Sequence, residues 1–262
     1  MINAKRRWWL IFCVIVIAIG IFFRCYNIDN KFYWHDEVYT SIRVSGYNNS
    51  EVVHKLFTGE IIQPQDLLQF QKITPEKTWK DSFNKLLEHP EHPPLFYLLS
   101  RGWQDIFGSS VLSSRSLAVV ISFFVFPSIF WLCWELFNSI NVGLTAMTLV
   151  AISPVHVLYA QDARESSLWI VTVFLCCAAL FKAIKSKKKL WWIIYSFSLG
   201  LNFYVSLLSV LVALSQTIYL FLLNQFRITK LLINGLMFQF IAVILFSPWL
   251  FIIYQNHDLL QG

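Results

Sequence analysis

Long apolar runs separated by short lysine and arginine clusters are the feature that most limits what this chain can become. A helix needs about 20 residues to cross about 30 Å of hydrocarbon, and shorter spans are tolerated with local thinning. Runs near that length occupy residues 8–23, 116–137, 142–159, 167–181 and 231–254. A longer block, 190–223, would reach roughly 51 Å as one helix, far beyond the hydrocarbon core. Gly200, Asn202 and Ser206 punctuate its middle. Basic residues bound both ends, with Lys185, Lys187, Lys188 and Lys189 before it and Arg227 and Lys230 after it. Positive charge holds its flank in the cytoplasm. With both ends inside, the block crosses twice, as short helices over 190–203 and 206–223.

Composition points the same way. The chain is 56% hydrophobic and 17% aromatic over 262 residues, which marks an all-α polytopic membrane protein. Its net charge of +6 is spread over the clusters between runs, so no patch for nucleic acid is expected. Of the cysteines, Cys13, Cys133, Cys176 and Cys177 lie in apolar runs, and together with Cys25 they show no metal-type spacing. No disulfide framework is implied.

Lys5, Arg6 and Arg7 precede the first run and place the N-terminus in the cytoplasm. Phe22-Phe23-Arg24-Cys25 offers no small-x-small cleavage site, so the first run reads as a retained anchor. Residues 24–114 then form a long first extracytoplasmic loop. Within it, Leu95, Leu98 and Leu99 open an apolar stretch that Arg101, Gln104 and Asp105 interrupt. The expectation is an amphipathic helix along the outer interface, its leucines towards lipid or protein and His92 at its rim. The result is one module, 1–262, with seven transmembrane helices and an external C-terminus.

Three polar constellations fall on the outer side of this topology. They are His35-Asp36-Glu37, the run Glu88-His89-Pro90-Glu91-His92-Pro93-Pro94, and Gln161-Asp162-Ala163-Arg164-Glu165. Each has a bland reading. The acidic pair can cap a helix, the prolines can start one, and the third run can be a solvated corner. His156 reads as a hydrogen-bonded core histidine. Together, a base, a second acid, histidines and an arginine at one membrane face suit a lipid phosphate and an acceptor hydroxyl.

The chain resembles integral-membrane glycosyltransferases of the GT-C fold, the superfamily of protein O-mannosyltransferases and aminoarabinose transferases, with a likeness to family 39-like bacterial Rgt-type members. The pieces that carry this are Arg24-Cys25-Tyr26-Asn27-Ile28-Asp29, Trp34-His35-Asp36-Glu37-Val38-Tyr39 and His92-Pro93-Pro94-Leu95-Phe96-Tyr97. Further on come Ser114-Arg115-Ser116, Ser153-Pro154-Val155-His156 through Asp162-Ala163-Arg164, and Ser247-Pro248-Trp249. The resemblance implies a polyprenyl-phosphate sugar donor and an external acceptor hydroxyl on a glycolipid, envelope polysaccharide or protein. It also implies residence in the plasma (inner) membrane. Asp36 maps to the catalytic acid/base, and Asp162 to the second-loop acid, where relatives usually carry Glu. Glu37 joins them in shaping the pocket. Arg164 is expected to neutralise the departing phosphate, with His92, Glu165, Tyr39 and Arg24 also contacting substrate. The carboxyl groups of Asp36 and Asp162 are expected within about 10 Å, close enough to share one substrate.

Magnesium or manganese is a possible cofactor, held by Asp36, Glu37 and Asp162, against a reading in which these carboxylates act by hydrogen bonding and proton transfer alone. Relatives continue with further helices beyond this module. A rival expectation therefore takes the chain as a non-catalytic remnant, or as half of a split enzyme completed by a partner membrane subunit. A transporter is the weaker third reading, because the acids cluster at one face rather than mid-membrane.

Overall fold

The computed structural model describes residues 4–186 and 188–256. Lys187 of the basic cluster and the external end expected beyond Gln255, from residue 257 on, lie outside the described residues. The chain is 78% helical, with no strand among the described residues.

Helix α1 (Ala4–Cys25) is followed by a series of short helices: α2 (His35–Ser45), α3 (Asn49–Leu56), α4 (Pro64–Leu68), α5 (Trp79–Glu88) and α6 (Leu95–Phe107). Next come α7 (Val111–Phe123) and α8 (Val125–Phe137), which form one apolar rod of 27 residues. The rest of the bundle is α9 (Ile140–Ile152), α10 (Pro154–Ala160), α11 (Ser166–Ser186), α12 (Lys189–Val205), α13 (Ser209–Leu223) and α14 (Lys230–Gln255).

Four of these units are long and apolar enough to cross a membrane: α1, the α7–α8 rod, α11 and α14. The pair α9–α10, bent by 65°, makes a fifth when counted as one span. The seven expected crossings therefore depend on α12 and α13, which have only 17 and 15 residues. The expected break in block 190–223 falls at residues 206–208, where the chain leaves α12 with Ser206 extended and re-enters helix at Ser209.

Polar side chains hold these helices together, as they do where lipid removes any hydrophobic drive for helix pairing. Tyr195 on α12 donates to Gln216 on α13 (2.8 Å), and Gln239 on α14 donates to the Tyr195 hydroxyl (3.0 Å). Thr217 closes the chain by donating to Gln239 (2.7 Å). Higher up, the Asn202 side-chain oxygen accepts from Thr172 and Ser209, and Trp169 donates to Ser209.

The kink between α9 and α10 frees backbone carbonyls near the membrane face, and Arg24 takes them. Its guanidinium donates to the oxygens of Ala151 (2.7 Å), Val150 (3.0 Å) and Gly20 (2.9 Å). Gln161 returns the favour at the end of α1, donating to the oxygens of Phe23 and Tyr26. Gly20 is needed at this crossing, since a Cβ there would collide with the Ala151 backbone.

Helix α6 is amphipathic, and its buried face carries polar as well as apolar residues. Phe96, Tyr97, Ser100, Arg101 and Gln104 point inward, while Leu99 is exposed. Burying Arg101 is tolerated because its guanidinium finds Ser82 (2.6 Å), the Lys77 oxygen (2.8 Å) and the Asp105 carboxylate (3.1 Å). Paired and hydrogen-bonded, a charge can enter a protein interior.

Candidate functional site

The site is organised around a buried ion pair. Glu37 lies in the first turn of α2 and reaches back to accept the Trp34 N–H (2.9 Å), half of a capping box. Arg115 arrives from α7 and grips the same carboxylate at both oxygens, at 2.8 and 2.7 Å. The guanidinium also donates to the oxygens of Ile28 (2.6 Å) and Phe32 (2.9 Å). The Ala163 N–H adds a fourth bond to Glu37 (2.8 Å). Glu37 is fully buried and both its oxygens are occupied. It therefore joins the outer loop, α7 and the corner at 161–165, and presents no free oxygen to a substrate.

Asp36, one residue earlier, has the opposite character. Its side chain is half exposed, with His35 as its ring neighbour at 3.5 Å. Its backbone oxygen accepts from Thr40 (3.0 Å) and Arg164 (3.4 Å). The corner carrying Asp162 is thus tied to the start of α2 through Ala163 and Arg164. Asp162 is half-buried, and burial raises its pKa above the usual carboxylate range. The Glu37 charge pushes it the same way, against Arg115, Lys31 and Arg164. It keeps its proton to higher pH than an ordinary aspartate.

Beside this junction lies a cavity of about 310 Å³ lined by His92, Tyr97, Glu165 and the α12–α13 turn at Ser206–Leu208. Trp249 of α14 donates to the Pro90 oxygen (3.0 Å) and so anchors the turn that carries His92. Glu165 pairs with Arg164 at 3.2 Å, leaving its second oxygen buried without a partner. The Tyr97 hydroxyl is likewise unpartnered, and burial raises its pKa, so it stays a donor.

Arg43 was not anticipated as a site residue. It sits two turns along α2 from Asp36, which is the sequence signal that could have found it. The residue is 7% exposed, and its guanidinium lies 5.8 Å from the Tyr39 ring and 5.7 Å from the Tyr97 ring. Nε has no hydrogen-bond partner, and no carboxylate pairs with the group among the described residues. A second cavity, of about 320 Å³, is lined by Arg43 together with His35, Tyr39, Lys85 and His89. A buried cation without an acid is an invitation to an anion.

His92 feels this charge. Burial, then the positive field of Arg43, pushes its pKa down to about 4 despite nearby Glu91. The imidazole is neutral at ordinary pH. The unfolded chain binds this proton near the usual value and the folded chain only near 4, so the fold loses stability as pH falls through that window. On the order of 2–3 kcal/mol should go between pH 6.5 and 4. Unfolding midpoints of the detergent-purified protein should show it, and His92→Gln should flatten the profile; an unchanged profile in the variant refutes the assignment.

Of the remaining expected residues, Tyr39 stands at the rim, 47% exposed, against His35. Arg24 faces the α9–α10 break instead of the cavity. No group of three or more His, Cys, Asp and Glu side chains is placed to hold a metal ion among the described residues. With both Glu37 oxygens bonded, the three expected carboxylates do not form a ligand set.

The family model for dolichyl-phosphate-mannose-protein mannosyltransferases matches residues 91–252, well over half of the chain. The chain belongs to this family. A dolichyl-phosphate-mannose-protein mannosyltransferase family member is a membrane glycosyltransferase of the GT-C type, in agreement with the resemblance carried by the sequence motifs. The matched residues include His92, Asp162, Arg164 and Glu165, whereas Asp36, Glu37 and Arg43 precede them. Comparison with curated proteins and with solved structures finds no match.

Proposed function

We propose that this family member transfers a sugar from a polyprenyl-phosphate donor to an acceptor hydroxyl at the extracytoplasmic face of the plasma membrane. The observation that carries the reading is Arg43, a buried arginine without an acid partner, which lines a cavity with His35 and Tyr39 and stacks on Tyr97 of the cavity of His92 and Glu165. A phosphate is the anion such a site suits, and Arg164 adds a second cation at the corner. In this reading the polypeptide crosses seven times, with α12 and α13 as short spans and the N-terminus in the cytoplasm.

Asp36 takes the proton of the acceptor hydroxyl. The freed oxygen attacks the anomeric carbon as the bond from that carbon to the phosphate oxygen breaks. The electron pair leaves with the lipid phosphate, where Arg43 and Arg164 offset the growing charge. Asp162 shapes the pocket beside Asp36, and neutral His92 positions a substrate hydroxyl or phosphate oxygen. Glu37 and Arg24 act through the segments they hold, and Tyr39 flanks the acceptor.

Membranes containing the protein, supplied with a panel of labelled polyprenyl-phosphate hexoses, should release lipid phosphate and form labelled product. Arg43→Met should raise the KM for the donor at least about tenfold, as expected for loss of a charged hydrogen bond. A wild-type protein inert with the whole panel, or an Arg43→Met variant with unchanged donor KM, would overturn the proposal.

A further inference from the structure

A cavity of about 650 Å³ lies away from Asp36, at the far end of α6 where the chain turns into α7. Lys72, Lys77, Arg101, Gln104, Asp105 and Ser110 line it. Lys77 is held by Glu51 at 2.7 Å and Arg101 by Asp105 at 3.1 Å, while Lys72 is exposed and has no acidic partner among the described residues. Ser110 caps α7, accepting from the Ser113 N–H (3.1 Å), and the N–H groups of Val111 and Leu112 have no acceptor within the helix. A helix start with free donors favours negative charge.

A second observation points to a ligand. Gln104 is 3% exposed and lines the cavity, yet its Oε1 has no partner while its Nε2 donates to Ser100 (3.1 Å). An orphaned buried acceptor is costly unless something supplies a donor. A ligand bearing both an anion and a hydroxyl answers both features.

The position selects its source. The apolar α7–α8 rod begins at Val111, so the cavity sits at headgroup depth at one membrane face. Ile106, Phe107 and Leu112 flank it, exposed by 75, 58 and 50%. Such side chains beside a cationic pocket suit acyl chains below a headgroup.

We infer that this cavity binds the headgroup of an anionic phospholipid that carries a hydroxyl, such as phosphatidylglycerol. The phosphate lies against Lys72 and the start of α7, and a headgroup hydroxyl donates to Gln104. The site is independent of the reaction centre and holds the α6–α7 corner to the bilayer.

Native mass spectrometry of the detergent-purified full chain, titrated with dioleoyl phosphatidylglycerol or with phosphatidylcholine, reads it directly. Wild type should retain phosphatidylglycerol in preference. Lys72→Ala and Gln104→Leu should each lower its occupancy at least about fivefold, and Lys80→Ala, at an exposed lysine outside the cavity, should not. Lys72 is a surface residue, so its variant tests the site even if Gln104→Leu folds poorly. Equal retention by wild type and Lys72→Ala would overturn the inference. So would displacement of the lipid by millimolar inorganic phosphate, which would make this a site for free phosphate.

Discussion

Asp36→Asn should lower sugar transfer about 10²–10⁴-fold while leaving the fold intact, the range lost when a general base is removed. The amide keeps the size of the side chain and the neighbour at His35, and the helix-start contacts of this residue run through its backbone oxygen. Nothing structural therefore depends on its charge. The half-exposed carboxylate is free to take a proton from an incoming hydroxyl, in contrast to Glu37 next to it. Donor binding should be retained, since Arg43 and Arg164 are untouched. The measurement is transfer from labelled lipid-linked sugar, with donor KM and kcat determined separately. Transfer near the wild-type rate in Asp36→Asn would exclude this residue as the base.

Arg115→Met should be among the most destabilising single changes outside the bundle core, by about 3–5 kcal/mol. The variant strands the Glu37 carboxylate in a site with no solvent exposure and only the Trp34 and Ala163 N–H groups as donors. It also releases the oxygens of Ile28 and Phe32. The outer loop should become protease-sensitive, and the unfolding midpoint in detergent should fall. Replacing both partners, Arg115→Met with Glu37→Leu, should recover part of the loss, because no unpaired charge is then buried. A shift below about 1 kcal/mol for the single variant would show that the pair is not what holds the loop to α7.

Much of the site was legible because its signals are local. Asp36 directly follows the first apolar run, Asp162 follows the third, and His92 opens a stretch too polar to cross. Covalent sequence alone sets each of these beside an apolar run or its interruption. Contacts link the three runs. Arg164 touches the Asp36 backbone, Ala163 bonds Glu37, and Glu165 and His92 share a cavity. What sequence could not distinguish was which member of the acidic pair faces outward. Adjacent residues on a helix point about 100° apart, so one carboxylate can be half exposed while its neighbour is sealed.

Arg24 illustrates the limit from the other side. An arginine at the end of the first span reads equally as a substrate contact or as a cap. Its partners are carbonyls 126 and 127 residues away, freed only because the chain bends at Ser153-Pro154. Arg43, in turn, looks like an ordinary basic residue near a helix end until Tyr97 of α6 is seen to pack against it.

The sequence by itself determined the helical membrane class, the long segment between the first two apolar runs and the break in the 190–223 block. Each depends on hydrophobicity, charge and spacing within a few turns, where physical preference does not need a partner. Only the tertiary structure decided that Glu37 is a latch, that Arg24 is a cap, and that Arg43 is a buried cation without an acid partner. Those roles depend on burial and on hydrogen bonds between segments as far apart as Glu37 and Ala163. The same side chain has one chemistry in water and another where its charge must be answered by whatever the fold brings against it.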